Sequence, residues 1–585
     1  MRFSTLGDCA IVVELGEDIA PTTLQRVRTF AIAVERARLA GVTDVVPAFT
    51  TVAVFCDGAR VSTDPTSPLS QLRRAIEILA RAPEPLTGDV PGAEVSIPVC
   101  YDAAFAPDLG AVAENAGISS ADVVALHHGA EYRVHAIGFA PGFPYLGGLP
   151  KKLHTPRLAT PRGRVAAGSV GIGGAQTGIY PFETPGGWRL IGRTPLQLFD
   201  AHRNPPALLR LGDRVKFQPI SPAEFQTAQA RCHPIDDKAK STGASEENAA
   251  CHPLDDKANS SATSKRSGEC RPLDDTLPVV VRKAGMLTTV QDLGRRGYRA
   301  SGVPLGGAVD TVAMRIANFL AGNSENAAVL EITLLGPELE FTHDAVIALG
   351  GAEFGGVPAW RPVRVAAGER LKIGAARTGC RGYLAVAGGF QVESALGSAS
   401  TCLRGEFGGH EGRALRDGDV LRVGRGTRAV EEHWRIDPRI LPAYSRAPTV
   451  RVVRGQHASE FGGFFFGAEF KVTPQADRTG VRLSGPVLER SNTRELLSTA
   501  VAPGTIQVPP NGQPIVLLAD AQTIGGYPQI AHVVTVDLPL VAQLKPGDGI
   551  RFQEVSLEDA WKLLLARERA LAILHEGLAG KIHGA

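Results

Sequence analysis

The spacing of apolar residues changes character along the chain. Residues 1 to about 95 alternate β-like runs, Ala10 to Leu15 and Thr51 to Phe55, with amphipathic helices, one carrying Leu69, Leu72, Ile76 and Leu79 at helical spacing. Ser67 and Pro68 supply that helix with an N-cap and a first turn. The pattern predicts a small α+β domain over residues 1–95. Most of the remaining chain consists of short β-rich segments punctuated by Gly and Pro, so the fold class expected is mainly β.

One repeat organises those segments. L-x-x-G-D-x-φ-x-φ, with φ apolar, occurs at Leu209 to Phe217, Leu415 to Val423 and Leu544 to Phe552, and each copy reads as a turn entering a closing strand. Upstream of each lies Val-Ala, then Ala or Pro, then Gly168, Gly368 or Gly504. Three ordered pairs predict three related β-barrel-like units, over residues 96–221, 277–430 and 431–555. Ser556 and Asp559 then form a capping-box-like start for a helix from Leu557 to about His575, within a final segment 556–585.

Between Phe225 and Tyr298 there is no aromatic residue, and Ser, Ala, Lys, Asp and Glu crowd together. Such a stretch buries too little apolar surface to offset its ordering entropy, so residues 222–276 are expected to be a flexible linker between two globular halves. CHPIDDKAKS begins at Cys232, CHPLDDKANS at Cys251 and CRPLDD at Cys270. The third copy replaces His with Arg and no C-x-x-C pair is present, so the repeat reads as a spacer and no metal site is expected.

Composition narrows the setting. At 585 residues several domains are the default. A net charge of +2 offers no broad field for nucleic acid or an anionic membrane surface. No signal-peptide pattern and no run of about 18 apolar residues occurs, and 8 cysteines are too sparse for a disulfide scaffold. A soluble, cytoplasmic protein is the expectation.

Candidate chemistry sits on loops between apolar strands. In the first half, G-F-A-P-G-F-P-Y-L (Gly138 to Leu146) makes a rigid turn whose backbone N–H groups, around Gly138 and Gly142, can polarise a carbonyl. Phe139 and Phe143 themselves read first as packing residues. Arg157, Arg162 and Arg193, with Gln176, lie near Gly-rich turns and can clamp a carboxylate or phosphate. His127 is a catalytic candidate from the same half.

In the second half Gln291, Asp292 and Arg295 surround a glycine-rich loop, while Asn323 and Glu331 read equally as turn and cap residues. Asp477 and Arg478 lie in TPQADRTGVRLSG. Asp520, Gln522, Thr523, Gly525, Gly526 and Tyr527 follow the apolar run Ile515 to Ala519. Asp520, at that strand's end, can act as acid, base or metal ligand, or simply pin a turn. G-x-x-x-x-G-K-[ST], G-x-S-x-G and H-E-x-x-H are all absent, which removes support for common NTPase, serine hydrolase and zinc protease readings.

Together these motifs closely resemble the B and C subunits of the prokaryotic ATP-dependent 5-oxoprolinase family, fused in one chain. That pair is also similar to the carboxyltransferase region of urea carboxylase. The first half resembles the B subunit through Gly138 to Leu146, Gly168 to Pro181 and Pro185 to Thr194; the second resembles the C subunit through Gln291 to Gly297, Gly388 to Asp419, Ala476 to Gly480 and Gly504 to Ile530. The resemblance implies cyclophilin-like β-barrels, opening of the 5-oxoproline lactam to glutamate driven by ATP with magnesium, and, as partner, a separate A subunit. It makes residues 222–276 a fusion joint. Ala476 and Thr479 stand where the family usually has Ser and Met around Asp-Arg.

Two alternatives stay open. One is a biotin-dependent carboxyltransferase acting on a urea-like amide. The only methionines, Met1, Met286 and Met314, leave no Ala-Met-Lys-Met attachment site, so biotin would come on another chain. The other is a kinase-inhibitor-like regulatory binding protein, which some relatives of the first half resemble.

Overall fold

The computed structural model describes residues 1–58, 68–81, 92–232, 276–426, 436–492 and 494–583. The first half is built on one eleven-stranded sheet. Its first four strands, Arg2–Leu6, Ala10–Glu14, Val42–Ala48 and Thr51–Cys56, carry the helices Pro21–Ala37 and Pro68–Arg81. Val27, Phe30 and Val34 of the first helix and Leu72, Ile76 and Leu79 of the second face the core, the last three being positions that the helical spacing predicted. Ser67, the expected N-cap, lies outside the described residues.

The sheet does not stop at the boundary expected near residue 95. Val42–Ala48 is joined to Tyr132–Ile137 through Ala48 and Ala136, and the strands run on through Pro144–Gly147, Gln176–Ile179, Ser169–Gly173 and Arg189–Arg193. Ala48, Ala136, Phe143 and Tyr145 share one apolar cluster across that seam, so the α+β segment and the following unit are continuous.

Residues 276–426 fold as two five-stranded sheets packed on a common core that includes Val279, Leu339, Phe341, Leu349 and Leu384. The helix Thr311–Leu320 lies against them, with Asp310 accepting the Ala313 N–H at its N-cap (2.9 Å). Thr449–Arg454, Glu469–Val472, Gly480–Ser484, Thr505–Gln507, Ile515–Leu517, Gln529–Val533 and Gly549–Glu554 close into a seven-stranded barrel. Where three barrel-like units were expected, this is the one closed barrel among the described residues; the others are sheets.

The repeat behind that expectation is nonetheless one local structure used three times. Gly212, Gly418 and Gly547 have φ of +84°, +95° and +89°, a region that disfavours any residue with a Cβ. The Asp that comes next accepts the N–H of the residue three before it: Asp213 from Arg210 (2.7 Å), Asp419 from Arg416 (2.7 Å) and Asp548 from Lys545 (2.9 Å). The three copies differ in how the next strand pairs. Arg214–Pro219 runs parallel to Glu94–Val99, and Gly549–Glu554 parallel to Thr449–Arg454, whereas Val420–Gly424 pairs antiparallel with Thr276–Lys283. The first and third units therefore share a parallel pairing that the second lacks.

The folded part extends into the expected linker. Pro222–Cys232 is a helix, capped by Ser221 and Glu224, with Phe225 buried; the strand Thr276–Lys283 begins at the linker's other end. The rest of the linker, including most of the Cys-His repeat, lies outside the described residues. The last helix starts at the predicted cap of Ser556 and Asp559 but runs to His583, past the expected stop near His575. It tolerates Gly577 because Leu571, Leu574 and Leu578 rest against Thr311–Leu320. Among the described residues no helix is long and apolar enough to cross a membrane.

The two halves share cores. Trp561 and Leu564 of the last helix complete the cluster of Val27, Phe30 and Ile76. Ala500, Ala502 and Ile524 pack with Phe143 and Trp188. Phe199 joins Val303, Cys402 and Phe407.

Candidate active site

A cavity of about 340 Å³ opens where the halves meet, near the lower end of small-molecule sites, which span roughly 300–1,000 Å³. The first half contributes Phe139, Ala140 and Pro141. Their turn is held by Gly138 N–H to Phe143 O (3.1 Å) and Phe143 N–H to Ala140 O (3.0 Å). Gly142, at φ +78°, donates its N–H to Ser301 O of the other half (2.8 Å). Phe143 is buried among Tyr145, Tyr180 and Trp188, in keeping with a packing role, while Phe139 reaches the cavity.

The second half supplies two loops that lie side by side. Leu518 N–H donates to Thr479 O (2.9 Å) and Asp520 N–H to Arg478 O (3.1 Å), which brings Asp477, Arg478 and Thr479 beside Asp520, Ala521 and Gln522. Arg478 is the electrostatic centre. It donates to both oxygens of Asp520 (2.8 and 2.9 Å), to Gly307 O (2.8 Å) and, on its far side, to Glu331. Burial opposes charge on this guanidinium, but Asp520 and Glu331 outweigh it and raise its pKa. Burial likewise opposes ionisation of Glu331, yet Arg478, Arg381 and the Val309 N–H hold its carboxyl below the ordinary value.

Asp520 is therefore half of a fork-to-fork ion pair with its remaining lone pairs toward the cavity. Asp477 accepts the N–H groups of Thr479 (2.8 Å) and Gly480 (3.0 Å), fixing the loop's bend. Thr523 reaches the rim, its N–H donating to Gly138 O at 3.4 Å, so two motifs far apart in sequence touch across the halves. Gly525 lies close by in the short ribbon formed by Thr499–Ala500 and Ile524–Gly525, while Gly526 and Tyr527 are exposed.

Other candidates lie elsewhere. His127 is buried inside the first half, with Nδ1 2.8 Å from Tyr101 Oη and Nε2 3.1 Å from Thr177 Oγ1, and burial lowers its pKa to about 3. Both ring nitrogens are engaged in the core, away from the cavity. Arg162 pairs with Asp108 (2.7 Å), Arg193 donates to Ala167 O (2.7 Å), and Arg157 sits exposed over the Trp188 ring. Gln176 is half-buried in its strand.

Gln291, Asp292 and Arg295 form a buried knot behind the cavity. Asp292 accepts the hydroxyls of Ser398 (2.6 Å) and Ser400 (2.5 Å), Gln291 donates to Thr289 Oγ1 (3.0 Å), and Arg295 donates to Ala395 O (3.1 Å) over the Phe407 ring. Asn323 ties Val386 O and the Gly388 N–H, a turn role. Among the lining residues not singled out as site groups are Cys402 and Arg404. Burial raises the Cys402 thiol to about 11, so it stays protonated and apolar in character.

Comparison with known proteins agrees with this bipartite arrangement. A model of the carboxyltransferase domain, subdomains C and D, matches residues 1–209, and one of subdomains A and B matches residues 301–554. The C subunit of 5-oxoprolinase from Escherichia coli K12 is 42% identical over 315 residues, spanning 52% of this chain and 97% of that protein. The B subunit of 5-oxoprolinase from Bacillus subtilis 168 is 44% identical over 229 residues, spanning 38% of this chain and 95% of that protein. A urea amidolyase of Lachancea kluyveri is 33% identical over 335 residues, but that match spans 18% of its length. The crystal structure of TTHA0988 superposes with a TM-score of 0.74 at 34% identity, covering 93% of this chain and 99% of that one. The chain belongs to the carboxyltransferase-domain family that includes the B and C subunits of 5-oxoprolinase, with a B-like half followed by a C-like half in one polypeptide.

Proposed function

We propose that this chain supplies the B and C subunits of an ATP-dependent 5-oxoprolinase, opening 5-oxoproline to glutamate together with a separate A subunit. The observation that carries the reading is the composite cavity: the turn at residues 138–144 of the B-like half closes over the loops at 477–479 and 520–522 of the C-like half. Opening a lactam requires loss of amide resonance. Phosphorylating the amide oxygen at the expense of ATP removes that stabilisation, and fixed donors beside the oxygen favour the charge that develops.

Asp520, anchored by Arg478, is in this proposal the acceptor of an amide N–H or of a proton from the reacting centre. Among the described residues no group of three or more His, Cys, Asp or Glu is arranged to hold a metal ion. In this proposal magnesium arrives with the nucleotide, whose phosphates supply most of its ligands. A cytoplasmic setting, where ATP is at hand, belongs to the same proposal.

The test is glutamate release from 5-oxoproline by the purified chain mixed with ATP and the A subunit, with each component also assayed alone and with avidin present. Release by the full mixture only, indifferent to avidin, supports the reading. No glutamate under conditions where a working enzyme produces it overturns the reading, and loss on adding avidin points instead to biotin-dependent carboxyl transfer.

A further inference from the structure

The cavity contains one positive group whose donors are uncommitted. Arg478 spends its guanidinium on Asp520, Glu331 and Gly307 O. Arg404 lines the same cavity, half-buried, and makes no hydrogen bond or ion pair among the described residues. We propose that Arg404 is the carboxylate-recognition residue of this site, the group that holds the carboxylate 5-oxoproline carries beside its ring nitrogen. The inference rests on the lactam-opening reading above and supplies what that reading lacks, a group that selects the substrate.

The position of Arg404 is built rather than incidental. It projects from a tight turn closed by Cys402 N–H to Phe407 O (2.9 Å) and Gly405 N–H to Cys402 O (3.2 Å), with Glu406 held at φ +54°. Cys402 and Phe407 anchor the turn in the apolar cluster they share with Val303 and with Phe199 of the first half. Both halves thus fix where the guanidinium enters.

The remaining lining complements the same ligand. Asp520 and Asp477 present carboxylates, acceptors for a ring N–H, while Phe139, Pro141, Leu287 and Leu403 offer apolar surface for ring methylenes. Arg478 and Arg381 balance Asp520 and Glu331, and Arg478 is already committed to Asp520, Glu331 and Gly307 O. A substrate carboxylate finds the donors of Arg478 occupied and is drawn to Arg404, which orients the ring. Arg's planar fork can bind both carboxylate oxygens at once.

The experiment compares 5-oxoproline with 2-pyrrolidinone, the same lactam without its carboxylate, in the whole chain assembled with ATP and the A subunit. Arg404→Met is expected to raise KM for 5-oxoproline about tenfold or more. It should also erase the preference over 2-pyrrolidinone, with Arg404→Lys recovering part of both. Arg404→Gln, closer in polarity, serves as the companion should Met disturb the turn. An unchanged KM in these folded variants overturns the assignment and leaves the activity standing. If the wild-type assembly releases no glutamate, the activity reading falls, and Arg404 is judged by calorimetry on the chain alone with 5-oxoproline and with glutarate. Binding lost in Arg404→Met upholds the carboxylate site; no binding, or binding that persists in the variant, overturns it.

Discussion

Arg478 and Asp520 meet through two hydrogen bonds of 2.8 and 2.9 Å, although their loops belong to different parts of the barrel sequence. Arg478 is almost wholly enclosed and Asp520 mostly so. The carboxylate therefore has two tasks, neutralising a buried guanidinium and facing the cavity, and removing it affects both.

Asp520→Ala should lose turnover and also lose stability, because a buried charge is left with one carboxylate, Glu331, instead of two. Breaking such a pair typically costs about 3–5 kcal/mol, and the surviving Glu331 contact places the expectation at the lower end. Asp520→Asn keeps the shape and one acceptor, so it should unfold closer to wild type while still failing to turn over. Urea denaturation beside the glutamate assay separates the two effects. Full activity in the Asn variant would return Asp520 to a purely structural role.

How much of this was legible in the chain depends on range. The Gly-Asp turns at Gly212, Gly418 and Gly547 were readable because a left-handed Gly and the Asp beside it act within four residues. Asp477, Arg478, Asp520 and Gln522 were readable as loop groups at strand ends. Their meeting with the Gly138 turn was not, since that contact joins residues 385 positions apart. His127 was misleading for the converse reason: no local pattern shows that Tyr101 and Thr177 close around its ring. Arg404 carries no distinguishing neighbour in sequence; its mark is the lack of a partner among the described residues.

Acid should weaken the fold before most carboxylates titrate. Burial lowers His127 and His532 to about 3 and His135 to about 4, against about 6.5 for an unfolded histidine. A histidine that resists protonation when folded gains protons on unfolding, so stability falls as pH drops below about 6.5. At pH 5 each contributes a loss on the order of 2 kcal/mol. Asp8, Asp44 and Asp310, whose values burial raises, work in the opposite direction over the pH range they enter. Glu331, held low, withdraws its support only on further acidification below its unfolded value near 4.3. Melting temperatures from pH 7.5 to 5.0 should slope less steeply in His127→Gln and His532→Gln than in the wild type. Parallel slopes would show that these rings do not govern the acid response.

The shared cores make covalent connection a convenience once folding is complete. Cleaving an engineered protease site placed between residues 233 and 275 should leave the two pieces eluting together from a sizing column and still active. Trp561 is the sensitive point, since it lies with Val27, Phe30 and Ile76 of the other half. Trp561→Ala removes a buried indole, a change that costs about 3–5 kcal/mol. The cleaved variant should therefore separate at concentrations where the cleaved wild type stays associated. Pieces that part without the substitution would show the connection itself is needed.

Gly138 offers a test of the cavity's rim that leaves every charge in place. A Cβ there would lie 2.4 Å from Ile524 Cγ1 and 2.8 Å from Thr523 Oγ1, both on the other half. Gly138 does not require a left-handed backbone, so Gly138→Ala acts by crowding alone. It should cost about 1–3 kcal/mol, the usual range for overpacking, and depress turnover by displacing Phe139 to Pro141 from the cavity. Ile524→Ala removes the nearest of these atoms and leaves Thr523 Oγ1, so the double variant should recover part of the turnover lost by Gly138→Ala. That recovery would appear as a coupling energy in a double-mutant cycle followed by both denaturation and glutamate release. Additive losses would mean that the two halves do not transmit their contact at Gly138 to the reacting centre.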